Sequence, residues 1–155
     1  MNDRAGRTDE AGPVIVSACL LGVRCRYDGA HSEDRPLRES LRDLPAVAIC
    51  PEELGGLPTP RPAAQLIDGE GDDVWSGSAR VVRVHDGEDV TKEFKRGAHR
   101  VLEAALESSA QRAILKEGSP SCGSSHVMRE GIRVRGRGVT TALLLENGVV
   151  VEAAG

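Results

Sequence analysis

Val14-Ile15-Val16-Ser17-Ala18-Cys19 is the stretch on which the fold turns. Three β-branched residues in a row read as a short buried strand, and the turn-rich Leu21-Gly22-Val23 beyond them reads as loop. The carboxyl end of that strand therefore presents Cys19. The same pattern recurs twice. Ala46 to Ile49 is a short apolar run that ends at Cys50-Pro51, where proline removes a ladder donor and stops the strand. Ala113 to Lys116 runs into Gly118-Ser119-Pro120-Ser121-Cys122-Gly123 and delivers a third cysteine just past a strand.

Helical patterns separate these strands. Asp34 is placed to cap a helix with Pro36 in its first turn, and Leu37, Leu41 and Leu44 fall on one face before Pro45 stops it. Val90, Phe94, Ala98, Val101, Leu102 and Ala105 make the clearest amphipathic stripe, with Asp89 or Thr91 as cap. Val81, Val82 and Val84 predict a strand near the Asp86-Gly87 turn. Thr140 to Leu145 predicts a last helix stopped by Asn147-Gly148, and Val149 to Glu152 a closing strand. Glu52 to Asp73, broken by Gly55-Gly56, Pro58, Pro60 and Pro62, reads as a long loop lying over the site. Short apolar strands alternating with amphipathic helices predict an α/β fold: a single Rossmann-like three-layer domain with a mostly parallel sheet. Its expected extent is residues 13–155, after a loose polar tail at 1–12. Ligands of such sheets gather at the carboxyl ends of the strands, where the three cysteines fall.

Composition narrows the function classes. A chain of 155 residues, 39% hydrophobic and 28% charged, is an ordinary globular composition, with no apolar run near the ~20 residues that span a bilayer. The first twelve residues lack the apolar centre of a secretory signal, so a cytoplasmic location and reduced thiols are expected. Four cysteines are then metal ligands, catalytic groups or small buried hydrophobes. A net charge of −4 and only three aromatics, Tyr27, Trp75 and Phe94, argue against extended nucleic-acid binding, and no membrane partner is expected. A small ligand fits better. Cys19, Cys25, Cys50 and Cys122 follow neither the spacing of zinc ribbons nor that of ferredoxins, so spacing alone leaves metal site and packed core as alternatives.

Ser17-Ala18-Cys19-Leu20-Leu21-Gly22, Cys25-Arg26-Tyr27-Asp28-Gly29, Cys50-Pro51-Glu52, Gly55-Gly56-Leu57, Asp89-Val90-Thr91, Leu115-Lys116 and Ser119-Pro120-Ser121-Cys122-Gly123 resemble, in order, the motifs of the thiouracil desulfidase family. The resemblance implies a 4Fe-4S cluster held by Cys19, Cys50 and Cys122, with one iron not bound by protein. It implies a small thiolated nucleobase such as 2-thiouracil as substrate, whose sulfur is replaced by oxygen without net electron transfer. Thiolates are the usual cluster ligands, and an open iron acts as a Lewis acid toward soft sulfur. Glu52, two residues after Cys50, is the expected catalytic acid or base, and Ser121 the expected catalytic hydrogen-bond donor, with Ser119 second. Glu53 is expected to be solvated. The resemblance leaves Cys25 to packing or support. Two departures stand out: Ala64-Gln65 where the family often has Ala-Glu, and no aromatic between His126 and Gly131. The rival readings are a non-catalytic module using all four cysteines, and action on thiolated nucleosides of RNA. His31, His85, His99 and His126 share no spacing, and Arg133, Arg135 and Arg137 read as a solvated strand edge.

Overall fold

The computed structural model describes residues 12–155; of the expected tail, residues 1–11 lie outside the described residues. In chain order come β1 (Val14–Ser17), a 310 turn (Ala18–Leu21), α1 (Arg35–Ser40), β2 (Ala46–Ile49), α2 (Pro51–Leu54), β3 (Ala64–Ile67) and α3 (Gly71–Ser76). Then follow β4 (Arg80–Arg83), α4 (Thr91–Ser108), β5 (Arg112–Lys116), β6 (His126–Arg129), β7 (Ile132–Arg135), α5 (Val139–Glu146) and β8 (Val150–Ala154).

β1 is buried at every position because it lies inside a parallel sheet of order β2-β1-β5-β8. The chain leaves β1 to one side for β2 and returns on the other for β5. That reversal puts a crevice at the carboxyl ends of β1 and β5, the usual ligand position in such sheets. One face of the sheet packs Ile15, Ala113 and Leu115 against Val101, Ala105 and Leu144 of α4 and α5. The other packs Val14, Val16 and Ile114 against Leu20, Leu41 and Cys25. Helices on both faces of a mostly parallel sheet are the three layers expected.

A second sheet extends this plan. Its order is β4-β3-β6-β7, with β3 and β6 parallel and the outer pairs antiparallel. Helix α4 joins the two halves along one stripe: Val101 and Ala105 enter the first core, while Phe94 and Ala98 enter a second with Leu66, Val81 and Val127. Burying Phe94 alone contributes about 2 to 3 kcal/mol. The sequence pattern hides β6 and β7 because β6 buries Val127 alone and β7 buries nothing. The turn between them uses positive φ at Glu130 and Gly131, the geometry of a two-residue hairpin. As expected, Arg133 and Arg135 lie on an outer edge.

Several element ends differ from expectation. The first helix carries its Asp34 cap, whose carboxylate accepts the Leu37 N–H at 3.0 Å, but it ends at Ser40, so Leu44 and Pro45 lie beyond it. Residues 52–73 are not one loop. They contain most of α2, all of β3 and the start of α3, the last begun by reciprocal capping between Glu70 and Asp73. A strand with one fully buried residue, Leu66, leaves little periodicity to read. Among the described residues no helix is long and apolar enough to cross a membrane.

The short helix α2 matters to the site because it carries Glu52, and it is held by backbone contact with α4. A Cβ at Gly97 would lie 1.9 Å from the Pro51 carbonyl oxygen, and one at Gly55 would lie 2.0 Å from that of Glu93. Arg96 and Arg100 donate to the carbonyls of Gly55 and Leu54, closing the free end of α2. Gly97→Ala should therefore force α2 away from α4, destabilising the chain by about 1–3 kcal/mol through overpacking. Urea unfolding checks this: a midpoint equal to that of an exposed control, Lys92→Ala, would mean that α2 is free to shift.

Candidate metal centre

The four cysteines line one cleft of about 500 Å³ at the carboxyl end of the parallel sheet. Cys19 stands in the 310 turn directly after β1, which closes at Gly22 with φ of 96°. Cys50 is the extended residue before α2, and Pro51 starts the helix with the φ it already prefers. Cys122 lies in the loop after β5. Its neighbours Pro120 and Ser121 offer their carbonyls to the N–H groups of Val139 and Thr140, the unsatisfied donors at the start of α5. Thr141 Oγ1 donates to the Cys122 carbonyl at 2.8 Å. The third thiol is thereby fixed to a helix rather than left on a free loop.

Glu117 holds the same loop from the other side. Its Oε1 accepts the backbone N–H groups of Ser124, Ser125 and His126 at 2.9, 3.1 and 3.0 Å, and Oε2 accepts the Ser125 hydroxyl at 2.5 Å. Burial works against its charge, yet these donors hold its carboxyl down at about 2.

The thiols form a connected set. The Cys25 thiol beside Cys19 draws the Cys19 thiol below its ordinary value and is itself lifted to about 11. Cys50 is raised by its own contact with Cys25 and then by burial, and its Sγ lies 3.6 Å from the Cys25 carbonyl oxygen. Cys122 is pushed up to about 12, first by burial and next by the charge of Glu52. Ser17 Oγ donates to Cys122 Sγ at 3.8 Å, and Arg61 Nη2 to Cys50 Sγ at 3.9 Å. Cys50 and Cys122, both raised, need positive charge from what they bind if they are to ionise, since metal must displace their protons, whereas Cys19 is already lowered.

This donor set fits an iron–sulfur cluster. It is all thiol at Cys19, Cys50 and Cys122, soft, sheltered and supplied with O–H and N–H donors to sulfur. Among the described residues no three His, Cys, Asp or Glu side chains are arranged for a single metal ion. One zinc draws its sulfurs in to ~2.3 Å, whereas a four-iron core spreads its ligands wider. Cys25, expected to serve packing or support, lies in the same cleft, and its carbonyl accepts from Cys50 Sγ at 3.6 Å.

Glu52 lines the cleft with its carboxylate half-buried, and Arg61 Nε donates to its Oε1 at 2.7 Å. Glu53 is exposed, as expected, and accepts the Thr59 hydroxyl. The two serines separate. Ser121 is 1% exposed, lies 2.7 Å from Thr140 Oγ1 and is not part of the cleft wall. Ser119 is part of that wall. Its Oγ accepts the N–H groups of Ser121 and Cys122, and its hydrogen meets no acceptor among the described residues. Gln65 also lines the wall, with a buried Oε1 that no donor reaches. Tyr27, Val84 and Met128 form an exposed apolar rim, Val84 from the turn after β4 and Met128 from β6.

Sequence reasoning passed over Arg61, which is buried and fully partnered in the site, and Glu117. The one available signal for Arg61 was a charged residue between two prolines in the segment expected to cover the cleft. The histidines behave as expected; His99 packs edge-on against Trp75, with ring centroids 5.1 Å apart, away from the cleft.

Known proteins resemble this chain in sequence and fold. The chain is 44% identical over 138 residues to the uncharacterized protein YbbK of Bacillus subtilis strain 168, covering 87% of this chain and 91% of that one. Its fold matches a solved structure of the 4Fe-4S-dependent thiouracil desulfidase TudS with a TM-score of 0.79 and 43% identity, over 92% of this chain and 90% of that one. The family model for 2-thiouracil desulfurase matches residues 14–154, from the first residue of β1 to the last of β8. On these matches and on the order of its cysteine-bearing loops, the chain belongs to the 2-thiouracil desulfurase family.

Proposed function

We propose that this protein is a 4Fe-4S-dependent desulfidase that converts a free thiolated pyrimidine, 2-thiouracil or a close relative, to its oxo form and releases sulfide. The observation that carries the reading is the convergence of Cys19, Cys50 and Cys122 with Glu52 in one cleft. Cys19, Cys50 and Cys122 would hold the cluster as thiolates, and an iron left without a protein ligand would supply a Lewis acid for the substrate's soft sulfur.

The chain's own residues supply the rest. Glu52 takes the proton of the water that attacks the thiocarbonyl carbon, and then returns it to the base or to the departing sulfide. Carbon gains an oxygen, the carbon–sulfur bond breaks with its electron pair on sulfur, and no oxidant or reductant is consumed. Ser119, with its hydroxyl hydrogen uncommitted, donates to the base; Ser121 supports the loop through its hydrogen bond with Thr140. The apolar rim of Tyr27, Val84 and Met128 takes a flat ring, and the unmet Oε1 of Gln65 suits a ring N–H.

Anaerobic reconstitution tests the reading. Protein loaded with iron and sulfide is expected to turn brown and release sulfide from free 2-thiouracil, faster than from thiolated RNA. Loaded protein that releases none from thiouracil or related thiones would refute it, and a preference for thiolated RNA would move the substrate to nucleosides of a polymer.

A further inference from the structure

The geometry points to Arg61 as the positioning residue that couples the proton-handling acid to a cluster ligand, an inference that rests on the desulfidase reading above. Arg61 is 8% exposed. A guanidinium has five N–H donors, and each finds a separate acceptor here. Nε donates to Glu52 Oε1 at 2.7 Å. Nη1 donates to the Pro58 carbonyl at 3.2 Å and to Thr59 Oγ1 at 2.8 Å. Nη2 donates to the Cys25 carbonyl at 2.9 Å and to Cys50 Sγ at 3.9 Å. The backbone is held as well, by an N–H to the Tyr27 carbonyl at 2.8 Å.

These contacts tie the 25–27 turn, the end of β2 with α2, and the 58–61 loop to one rigid cation. The planar fork sets the direction of both its ends together. The Glu52 carboxylate is held with Oε1 occupied by Arg61, which leaves Oε2 for water, while the same plane carries an N–H to the sulfur of Cys50. A surface ion pair would contribute little. This pair is different because burial leaves the guanidinium no water to turn to, so removing either partner leaves the other's donors or charge unmatched.

Two consequences follow for a loaded site. An N–H donor and a positive charge beside a ligand sulfur stabilise the more negative, reduced state of a cluster, so Arg61 raises its potential. Orientation of Glu52 matters when the proton moves, so Arg61 acts on kcat more than on KM. Lysine cannot replace it: an ammonium is a single point and cannot face both a carboxylate and a sulfur in one plane.

The experiment uses the full chain, reconstituted anaerobically as wild type, Arg61→Gln and Arg61→Lys, with iron content, the cluster's midpoint potential, kcat and KM measured for each. The expected result has four irons per chain in all three. Arg61→Gln shifts the potential to a more negative value, and its kcat falls at least about tenfold with KM nearly unchanged. Arg61→Lys keeps most of the potential but not the kcat. A merely structural arginine would leave the potential of loaded protein unmoved. Should Arg61→Gln fail to fold, Arg61→Lys carries the test alone, and kcat within twofold of wild type in loaded Arg61→Lys overturns the proposal. Wild-type protein that binds no cluster or releases no sulfide would instead count against the desulfidase reading itself.

Discussion

Serine in place of Cys122 is expected to leave a folded chain that holds no cluster and releases no sulfide. The side chain is buried among Ile15, Leu115 and Leu144, and serine has nearly its shape, so the cost in stability should stay near about 1 kcal/mol, the centre of the range for single substitutions. What changes is the donor. A hydroxyl does not ionise in a site that already pushes the thiol up to about 12, and an alkoxide is a hard ligand where iron–sulfur chemistry needs a soft one. The remaining two thiolates are too few to hold a four-iron core. Cys19→Ser and Cys50→Ser should behave alike, with iron per chain falling from four to near zero after anaerobic reconstitution and activity dropping below detection. Circular dichroism melts within a few degrees of wild type would separate loss of ligand from loss of fold. Cys25→Ser is the discriminating member of the series. Its thiol lies beside Cys19 and Cys50, and serine retains a hydroxyl there, so the variant should keep its iron. Equal loss of iron from all four variants would instead describe a closed four-thiolate module without an open metal position.

The placement of these thiols was legible in the sequence for a simple reason. β1, β2 and β5 are short, and β1 and β5 are buried enough to read as apolar runs; each ends in residues that break a strand, so a cysteine just beyond must lie at the carboxyl end of the sheet. Helix α4 was equally plain because one stripe serves two cores and cannot drift in phase over its 18 residues. Of the second sheet only β4 was legible. Its strands bury one side chain or none apart from β4, and β3 and β6 share a single register pair, so pairing there depends on partners remote in sequence. The same limit hid Arg61. The flanking prolines alone do not mark an arginine as buried when three of its five acceptors come from residues 25, 50 and 52. The difference in burial between Ser119 and Ser121 likewise needed the N-terminus of α5, where Thr140 lies 2.7 Å from the Ser121 hydroxyl.

Glu52→Gln is the substitution expected to cost the most activity without touching the cluster. The amide keeps the shape and an oxygen that accepts from Arg61 Nε, so α2 and the buried guanidinium stay in place, although a charge partner of Arg61 is lost. It has neither a proton to give nor a negative charge with which to take one. General acid–base contributions of this kind amount to about 10²- to 10⁴-fold, and the loss should fall on kcat with KM little changed. Iron content should equal that of wild type, since Glu52 is not a ligand. There is a second, opposite effect to look for. The Glu52 charge is one reason that the Cys122 thiol is raised, so removing that charge makes the thiol easier to ionise. Metal uptake competes with the proton on that sulfur, so Glu52→Gln should take up iron down to a lower pH than wild type. A variant that loads iron more readily and yet turns over at least about 10²-fold more slowly would place Glu52 in the proton chemistry rather than in assembly of the site. Parallel loss of iron and activity would place it in assembly, and full activity in loaded Glu52→Gln would remove it from the reaction.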